Sequence, residues 1–323
     1  MVKRFLPLWM VLLTVCLTGA GGQPVFAAGS DQQQTGDSYL DRSVCMLCHE
    51  AALASITGSK HWQADDNRTP SASTGCESCH GPGEQHVMEG GEDLSGLITF
   101  GPGSATPSTE QNALCLGCHQ DRGMHHWPGS VHANEDVACS SCHTLHGKDR
   151  VLDRSSEAGI CYECHQVVRS QFLKPYTHAV REQVISCRDC HQTHGSAGPA
   201  QLKGFTINET CTDCHAEKRG PFLWEHYPVS ESCTLCHNAH GSIHPGILVK
   251  REPHLCQTCH QPTGALAQQH SRLALSYRGP GSTLPGPTGG TAGISRFVVG
   301  KSCEHCHVQV HGSNHPSGAA LMR

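Results

Sequence analysis

The stretch Cys45-Met46-Leu47-Cys48-His49 is the first of ten copies of the five-residue pattern Cys-x-x-Cys-His. The later copies begin at Cys76, Cys115, Cys139, Cys161, Cys187, Cys211, Cys233, Cys256 and Cys303. Together the ten copies contain 20 of the 21 cysteines, and the remaining one is Cys16. Because two cysteines and a histidine recur along most of the chain, the chemistry of this pattern decides how the chain folds.

The pattern is typical of covalent attachment of c-type haem. Two thiols add across the two vinyl groups of one porphyrin, and the adjacent histidine binds the iron as the proximal axial ligand. We therefore predict ten covalently bound c-type haems. The predicted attachment cysteines are Cys45, Cys48, Cys76, Cys79, Cys115, Cys118, Cys139, Cys142, Cys161, Cys164, Cys187, Cys190, Cys211, Cys214, Cys233, Cys236, Cys256, Cys259, Cys303 and Cys306. The predicted proximal ligands are His49, His80, His119, His143, His165, His191, His215, His237, His260 and His307.

Three other roles of paired cysteines fit the pattern less well. Zinc sites use Cys-x-x-Cys pairs but need no histidine directly after the second cysteine. A disulfide scaffold, which suits an exported protein, does not require that histidine either. A thioredoxin-like redox pair occurs once, near a βαβ pattern that this sequence does not show.

The first 28 residues resemble a secretory signal peptide. Lys3 and Arg4 form a positive start, residues 5–17 are mostly apolar, and residues 25–27 offer a small-residue cleavage site. The apolar run is shorter than the roughly 20 residues of a membrane-spanning helix. We therefore predict export, to the periplasm in a bacterium, and a mature chain that lacks Cys16.

Composition indicates that cofactors replace much of the usual core. Hydrophobic residues make up 37% and aromatic residues 5% of the chain, which also contains 35 glycines and 18 prolines. Such a chain has few side chains for one apolar core, and its glycines and prolines favour loops. We predict a multihaem cytochrome c fold, mostly loops with few short α-helices and little or no β-structure, around an elongated array of ten stacked haems. The net charge of −5 gives no basic face for nucleic acid.

The motifs group into five haem-pair units, which start at residues 45, 115, 161, 211 and 256. Each unit has a leading and a trailing motif. A histidine follows 14 to 17 residues after the first cysteine of each leading motif, and another follows three to six residues after the histidine of each trailing motif. Repeats of this length are typical of stacked architectures. We predict a 29–44 N-terminal segment and a 45–323 decahaem domain.

These ten additional histidines are the predicted distal iron ligands. They are His61, His86, His132, His146, His178, His194, His226, His240, His270 and His311, with His315 as an alternative for the last position. The histidine three residues after a trailing motif cannot pass around its own porphyrin, because each residue spans only about 3.3–3.6 Å. It must therefore bind a different haem. Bis-histidine ligation throughout predicts low potentials, since methionine is the axial ligand that raises them.

The sequence resembles the MtrA/DmsE-type periplasmic decahaem c-type cytochromes. The likeness includes ITFGPGS at 98–104, NETCTDCHAEKRGPFLWEH at 208–226 and CEHCHVQVHGSNHPSG at 303–318, and it runs from about residue 43 onward. It implies an electron conduit inside an outer-membrane β-barrel porin. The implied partners are that porin, an extracellular multihaem cytochrome or terminal reductase, and periplasmic or inner-membrane quinol-linked cytochromes.

Two alternatives to the conduit stay open. One is a soluble periplasmic electron shuttle or store, and the other is a multihaem reductase with one open haem. The sequence favours a carrier over an enzyme, because no motif has lost its histidine and ten further histidines can cap the irons. Extracellular metal reduction and Fe(II) oxidation would use the same haem chain in opposite directions.

Overall fold

The computed structural model describes residues 39–63, 65–260, 302–316 and 318–322. The predicted signal peptide, residues 29–38 of the N-terminal segment and His270 lie outside these residues. The α-helices are α1 (Arg42–Met46), α2 (Glu50–Ile56), α3 (Glu77–His80), α4 (Glu84–Met88), α5 (Ser108–His119), α6 (Val131–Asn134), α7 (Arg154–Cys164), α8 (Gln166–Phe172), α9 (Cys187–Cys190), α10 (Ile207–Thr212), α11 (Tyr227–Glu231) and α12 (His254–Gln257).

Short 3₁₀ turns complete the regular structure of the described residues. They are Pro70–Ala72, Cys139–Ser141, Arg150–Leu152, Pro199–Gln201, Ala216–Lys218, Cys233–Leu235, Pro245–Ile247 and Cys303–His305. No strand forms in this part of the chain, although four isolated antiparallel bridges do, at Tyr176–Ser242, His191–Leu202, Trp224–Ser313 and His237–Leu248. The predicted fold class, loops with short helices and little β-structure, is confirmed.

Each motif outside α5 closes into one helical turn. In these nine motifs the backbone N–H of the histidine donates to the carbonyl oxygen of the first cysteine, with N···O distances of 2.8–3.0 Å, and the tenth motif lies within α5. Residues three and four apart share one face of a helix. One turn therefore presents both thiols and the imidazole to the same side.

Side-chain caps fix where the helices before the motifs begin. Asp153 accepts a hydrogen bond from the N–H of Ser155 at the start of α7. Thr206 and Glu209 form a capping box at the start of α10. Such caps satisfy N–H groups that have no partner within the helix. The leading motifs of the third and fourth units are thereby placed at the ends of pre-formed helices.

The described residues form only a small apolar core and enclose a large cavity. The buried hydrophobic residues are Trp127, Ala138, Phe172, Val180 and Leu321. The cavity measures about 4920 Å³ and is lined by motif cysteines and histidines along the whole described chain. One small-molecule site occupies about 300–1,000 Å³, so the cavity has room for about five to sixteen cofactor-sized molecules. None of the described helices is both long and apolar enough to cross a membrane.

Candidate haem sites

Nine histidine pairs line the cavity, and each joins one motif histidine to one predicted distal histidine. Their ring centres lie 5.9–6.3 Å apart. In motif order the pairs are His49–His86, His80–His146, His119–His61, His143–His194, His165–His132, His191–His240, His215–His178, His237–His311 and His260–His226.

The spacing of these rings fits one shared metal ion. Metal–imidazole bonds are about 2.0–2.1 Å long and the ring centre lies roughly 1.1 Å beyond the nitrogen, so two imidazoles across one metal have centres roughly 6.2 Å apart. Direct ring stacking would favour particular angles between the planes. Here the angle varies from 11° to 73° while the distance hardly changes. The nine pairs are therefore suited to hold haem iron between them.

The pairing crosses from unit to unit. The histidine after a trailing motif faces the trailing motif of the preceding unit, as His194 faces His143. The histidine after a leading motif faces the leading motif of the following unit, as His132 faces His165. At the N-terminal end His86 faces His49 within one unit. These pairings agree with the limit on reach that the sequence imposes.

The alternative ligand His315 does not face His237, because His311 takes that place at 6.0 Å. The backbone N–H of His315 donates to the hydroxyl of Ser313. The predicted ligand His270 lies outside the described residues. His307, the motif histidine of the last unit, donates through Nδ1 to the carbonyl of Ala320 at 2.5 Å.

The cysteines place consecutive motifs next to one another. Within each unit the first cysteines of the two motifs are neighbours, because one thiol raises the pKa of the other in the pairs Cys45–Cys76, Cys115–Cys139, Cys161–Cys187, Cys211–Cys233 and Cys256–Cys303. Between units, burial raises the pKa of the second cysteine of each trailing motif, and the thiols of the next leading motif raise it further, in the pairs Cys79–Cys118, Cys142–Cys164, Cys190–Cys214 and Cys236–Cys259. The motifs therefore follow one another in space in the same order as in the sequence.

Backbone carbonyls orient many of the paired rings. Nδ1 of His178 lies 2.7 Å from the carbonyl oxygen of Ala239, and Nδ1 of His226 lies 2.8 Å from that of Val310. Such a bond fixes the tautomer and leaves Nε2 for a metal. The carbonyls belong to the residues just before His240 and His311. Each loop thus positions the distal histidines of two different haem sites.

Burial keeps several of these rings in the form that binds metal. It lowers the pKa of His80 and of the distal histidines His61, His194, His240 and His311. Neutral imidazole is the ligand form. The described residues contain no disulfide and no group of three or more His, Cys, Asp or Glu side chains placed to hold a bare metal ion.

Side chains that the sequence did not single out join the two motifs of a unit. Asn112 accepts from the N–H of Cys139 at 2.7 Å and donates to the carbonyl of Val137. Asn208 does the same in the fourth unit, accepting from the N–H of Cys233 at 2.8 Å. Both asparagines stand three residues before a leading motif, and this shared position could have drawn attention to them.

In the third unit, a buried carboxylate connects the leading and trailing motifs, where the second and fourth units have an asparagine. The side chain of Glu157 is 1% exposed, and its carboxylate accepts from the N–H of Arg188 at 3.1 Å. The Arg188 guanidinium lies 3.3 Å from the other carboxylate oxygen. A buried carboxylate is stable only with such partners. This pair holds the two motifs of the third unit together.

Comparison with known proteins identifies the family. The chain is 41% identical to the multiheme cytochrome MtrA of Shewanella baltica over 301 residues, which is 92% of this chain and 84% of that protein. The chain belongs to the MtrA family of multihaem c-type cytochromes. The MtrA-type chain binds haem covalently through its Cys-x-x-Cys-His motifs and transfers electrons.

Shorter matches cover parts of this MtrA-type chain. The family model "Cytochrome c-type protein NrfB-like" matches residues 76–164, and the model "Doubled CXXCH motif" matches residues 178–220 and 226–265. The cytochrome c-type protein NrfB of Escherichia coli is 30% identical over 162 residues, or 48% of this chain and 81% of that protein. The C-type polyheme cytochrome OmcB of Geobacter sulfurreducens is 25% identical over 216 residues, or 56% of this chain and 26% of that protein.

Proposed function

We propose that the protein carries electrons through ten c-type haems, in the order of their motifs, between the periplasm and the cell surface. The observation that carries the proposal is the unbroken series of cysteine neighbours from Cys45 to Cys303. When bound, haem iron supplies one-electron redox chemistry. A series without gaps gives each interior haem a close neighbour on both sides and each end haem one neighbour, as conduction along the chain requires.

The proposed ligands cap every iron. The proximal histidine of each motif and the facing distal histidine supply nine irons. For the tenth iron, that of His307, we propose His270 as the distal ligand, with His315 as the alternative. The other nine predicted distal histidines already face other motif histidines. An iron with both axial positions filled suits electron transfer, because catalysis at a metal needs an open position.

A β-barrel porin is the proposed outer-membrane partner. Irregular backbone is tolerated at membrane depth only where it is surrounded by protein or lines a cavity. A closed barrel provides such a surround for a chain of loops and short helices. An extracellular multihaem cytochrome or terminal reductase would accept electrons at one end, and periplasmic or inner-membrane quinol-linked cytochromes would supply them at the other. For Fe(II) oxidation the flow would reverse.

Spectroscopy of the purified holoprotein tests the ligation. We expect ten haems per chain by pyridine haemochromogen assay, only low-spin ferric haem by EPR, and no change in the reduced Soret band on addition of carbon monoxide. A high-spin fraction near one haem in ten that binds carbon monoxide would contradict full capping. It would favour the reductase alternative, which the partial match to NrfB leaves in view.

Reconstitution separates a conduit from a soluble shuttle. The holoprotein is incorporated with an outer-membrane barrel porin into liposomes that contain reduced methyl viologen, and an acceptor too large to enter is added outside. A conduit oxidises the internal dye only when both proteins are present. If the holoprotein does not associate with the porin, or if the dye stays reduced, the shuttle is favoured instead.

A further inference from the structure

The proximal histidines of the five trailing motifs all donate through Nδ1, but not to the same kind of acceptor. Four donate to backbone carbonyl oxygens, in the pairs His80–Ile98 (2.9 Å), His191–Ala200 (3.0 Å), His237–Gly246 (2.8 Å) and His307–Ala320 (2.5 Å). His143 instead donates to the carboxylate of Asp149, with an Nδ1···Oδ2 distance of 2.8 Å. The second unit thus differs from the others in the atom that accepts this hydrogen bond, which is a carboxylate oxygen instead of a carbonyl oxygen.

Loop length accounts for the difference. Asp149 lies six residues after His143, whereas Ala200 and Gly246 lie nine residues after their motif histidines. The short loop turns back at the 3₁₀ turn Arg150–Leu152, and the Asp149 side chain caps this turn by accepting from the N–H of Val151. Its Oδ1 accepts from the N–H of Val151 at 3.3 Å, which leaves Oδ2 directed at the imidazole. The aspartate is therefore held in place from both sides.

Nearby cations have other partners. Lys148 pairs with Asp153, and the Arg150 guanidinium lies 4.0 Å from Glu163. The side chains of His143 and Asp149 are 31% and 17% exposed, so water only partly screens their hydrogen bond. Another motif histidine near a carboxylate is His215, whose Nδ1 lies 3.9 Å from Glu217, beyond hydrogen-bond distance.

A carboxylate acceptor changes what the imidazole does to a bound metal. Hydrogen bonds to ionised acceptors are stronger than those to neutral ones. A carboxylate behind a ligating histidine makes that ligand more basic. A more basic axial ligand stabilises ferric over ferrous iron, and axial ligands are one of the means by which a protein sets a haem potential.

We propose that Asp149 lowers the reduction potential of the haem attached at Cys139 and Cys142 below those of the other trailing-motif haems. This rests on the proposed ligation of that iron by His143 and His194. Asp149 acts through His143 and is a positioning residue. Among the five trailing-motif haems, this one would then stay oxidised longest as the protein is reduced, and an electron arriving there from another trailing-motif haem would move upward in energy.

The variant Asp149→Asn tests the proposal, because asparagine can still accept through oxygen but carries no charge. Asp153→Asn is the matched control. Asp153 also caps a helix start and also lies beside the second unit, but it contacts Ser155 and Lys148 rather than a motif histidine. Each holoprotein is titrated spectropotentiometrically, and its ferric form is examined by EPR.

We expect Asp149→Asn to raise the potential of one haem in ten, changing its ferric-to-ferrous ratio at fixed potential at least tenfold, which for a one-electron couple is about 59 mV. The low-spin EPR signal of one haem should move to a larger maximum g value as the ligand becomes less basic. Asp153→Asn should leave both unchanged. Identical titrations for wild type and Asp149→Asn would overturn the proposal, and so would equal shifts in the two variants.

Failure of this inference can be told from failure of the proposed function. If Asp149→Asn keeps ten low-spin haems and conducts through the porin but titrates as wild type does, only the role of Asp149 is wrong. If wild type itself shows an iron that binds carbon monoxide, the ligation on which both rest is wrong.

Discussion

In the first unit the ring that faces His49 comes from His86 of the same unit, and Nδ1 of His86 bonds to the carbonyl of Asp93 only seven residues away. In the third unit the ring of His178 faces His215 of the next unit, and its Nδ1 bonds to Ala239, 61 residues away. The end of the chain is closed by local contacts, and its interior is closed by exchange between units. The interior units are therefore held together by contacts between residues far apart in the sequence.

A glycine follows four of the five trailing distal histidines, all but His86, and two of these glycines show the same contrast. Gly147 has a positive φ of +108°, and a Cβ added there would meet no atom within 4 Å. Gly241 has a φ of +141°, and a Cβ there would lie 2.4 Å from the carbonyl oxygen of Gln171. The backbone at Gly241, in the fourth unit, packs closely against the backbone of Gln171 in the third unit. At Gly147, near the boundary between the first two units, there is open space.

Removal of a cross-unit ligand should have the largest effect. We expect His178→Ala to lower the free energy of unfolding by about 3–5 kcal/mol, because it removes an iron ligand and a contact between units. His86→Ala, the matched change at the N-terminal end, also removes a proposed iron ligand but no contact between units, and it should cost about 1–2 kcal/mol. Guanidinium denaturation followed at the Soret band measures both. Equal losses would show that local and cross-unit ligation contribute alike.

The next largest difference in stability is expected between alanine variants of Gly241 and Gly147. Alanine at either position costs about 1–3 kcal/mol because of the unfavourable φ. Gly241→Ala must also displace the Gln171 backbone and should lose about 1–3 kcal/mol more than Gly147→Ala. Thermal melts of the two holoproteins test this. Matching melting temperatures would mean that the interior backbone contact yields without cost.

Two buried carboxylates, one in the first unit and one in the third, should also differ in how much they stabilise the fold. Glu77, in the first unit, accepts from the N–H groups of Leu40 and Gly83, each at 2.7 Å. A glutamine side chain has one acceptor oxygen, so Glu77→Gln can keep only one of these two hydrogen bonds. We expect it to lower the free energy of unfolding by about 1.5–3 kcal/mol. Glu157→Gln keeps its bond to the Arg188 N–H and removes the charge beside the Arg188 side chain, which is 42% exposed, so we expect a loss of about 1–2 kcal/mol. Chemical denaturation measures both, and a larger loss for Glu157→Gln would reverse this ranking.

The asparagine junctions should give the smallest change. Asn112→Ala and Asn208→Ala each remove one acceptor for a cysteine N–H, at an expected cost of about 1 kcal/mol with all haems retained. Haem quantification and denaturation check the two parts of this prediction. Loss of a haem would show that the amide is needed during attachment and does more than stabilise the finished fold.

The sequence predicted the fold class and proposed the histidines that the structure brings beside the motifs, because both follow from short-range spacing. It could not assign partners. His237 and His311 are 74 residues apart, and no local pattern connects them. Asp149 escaped notice for a related reason. In the other units Nδ1 of the trailing-motif histidine bonds to a backbone carbonyl. Any residue type can supply that carbonyl, so the sequences of the units do not show that Asp149 takes its place.

The exchange of histidines between units also limits how such a chain can change its length. Each interior unit gives one histidine forward and one backward and receives one from each side. A whole unit inserted between two others would restore every pairing by the same rule. A single motif gained or lost would leave an iron without a ligand or a histidine without an iron. Cytochromes built in this way should grow and shrink two haems at a time.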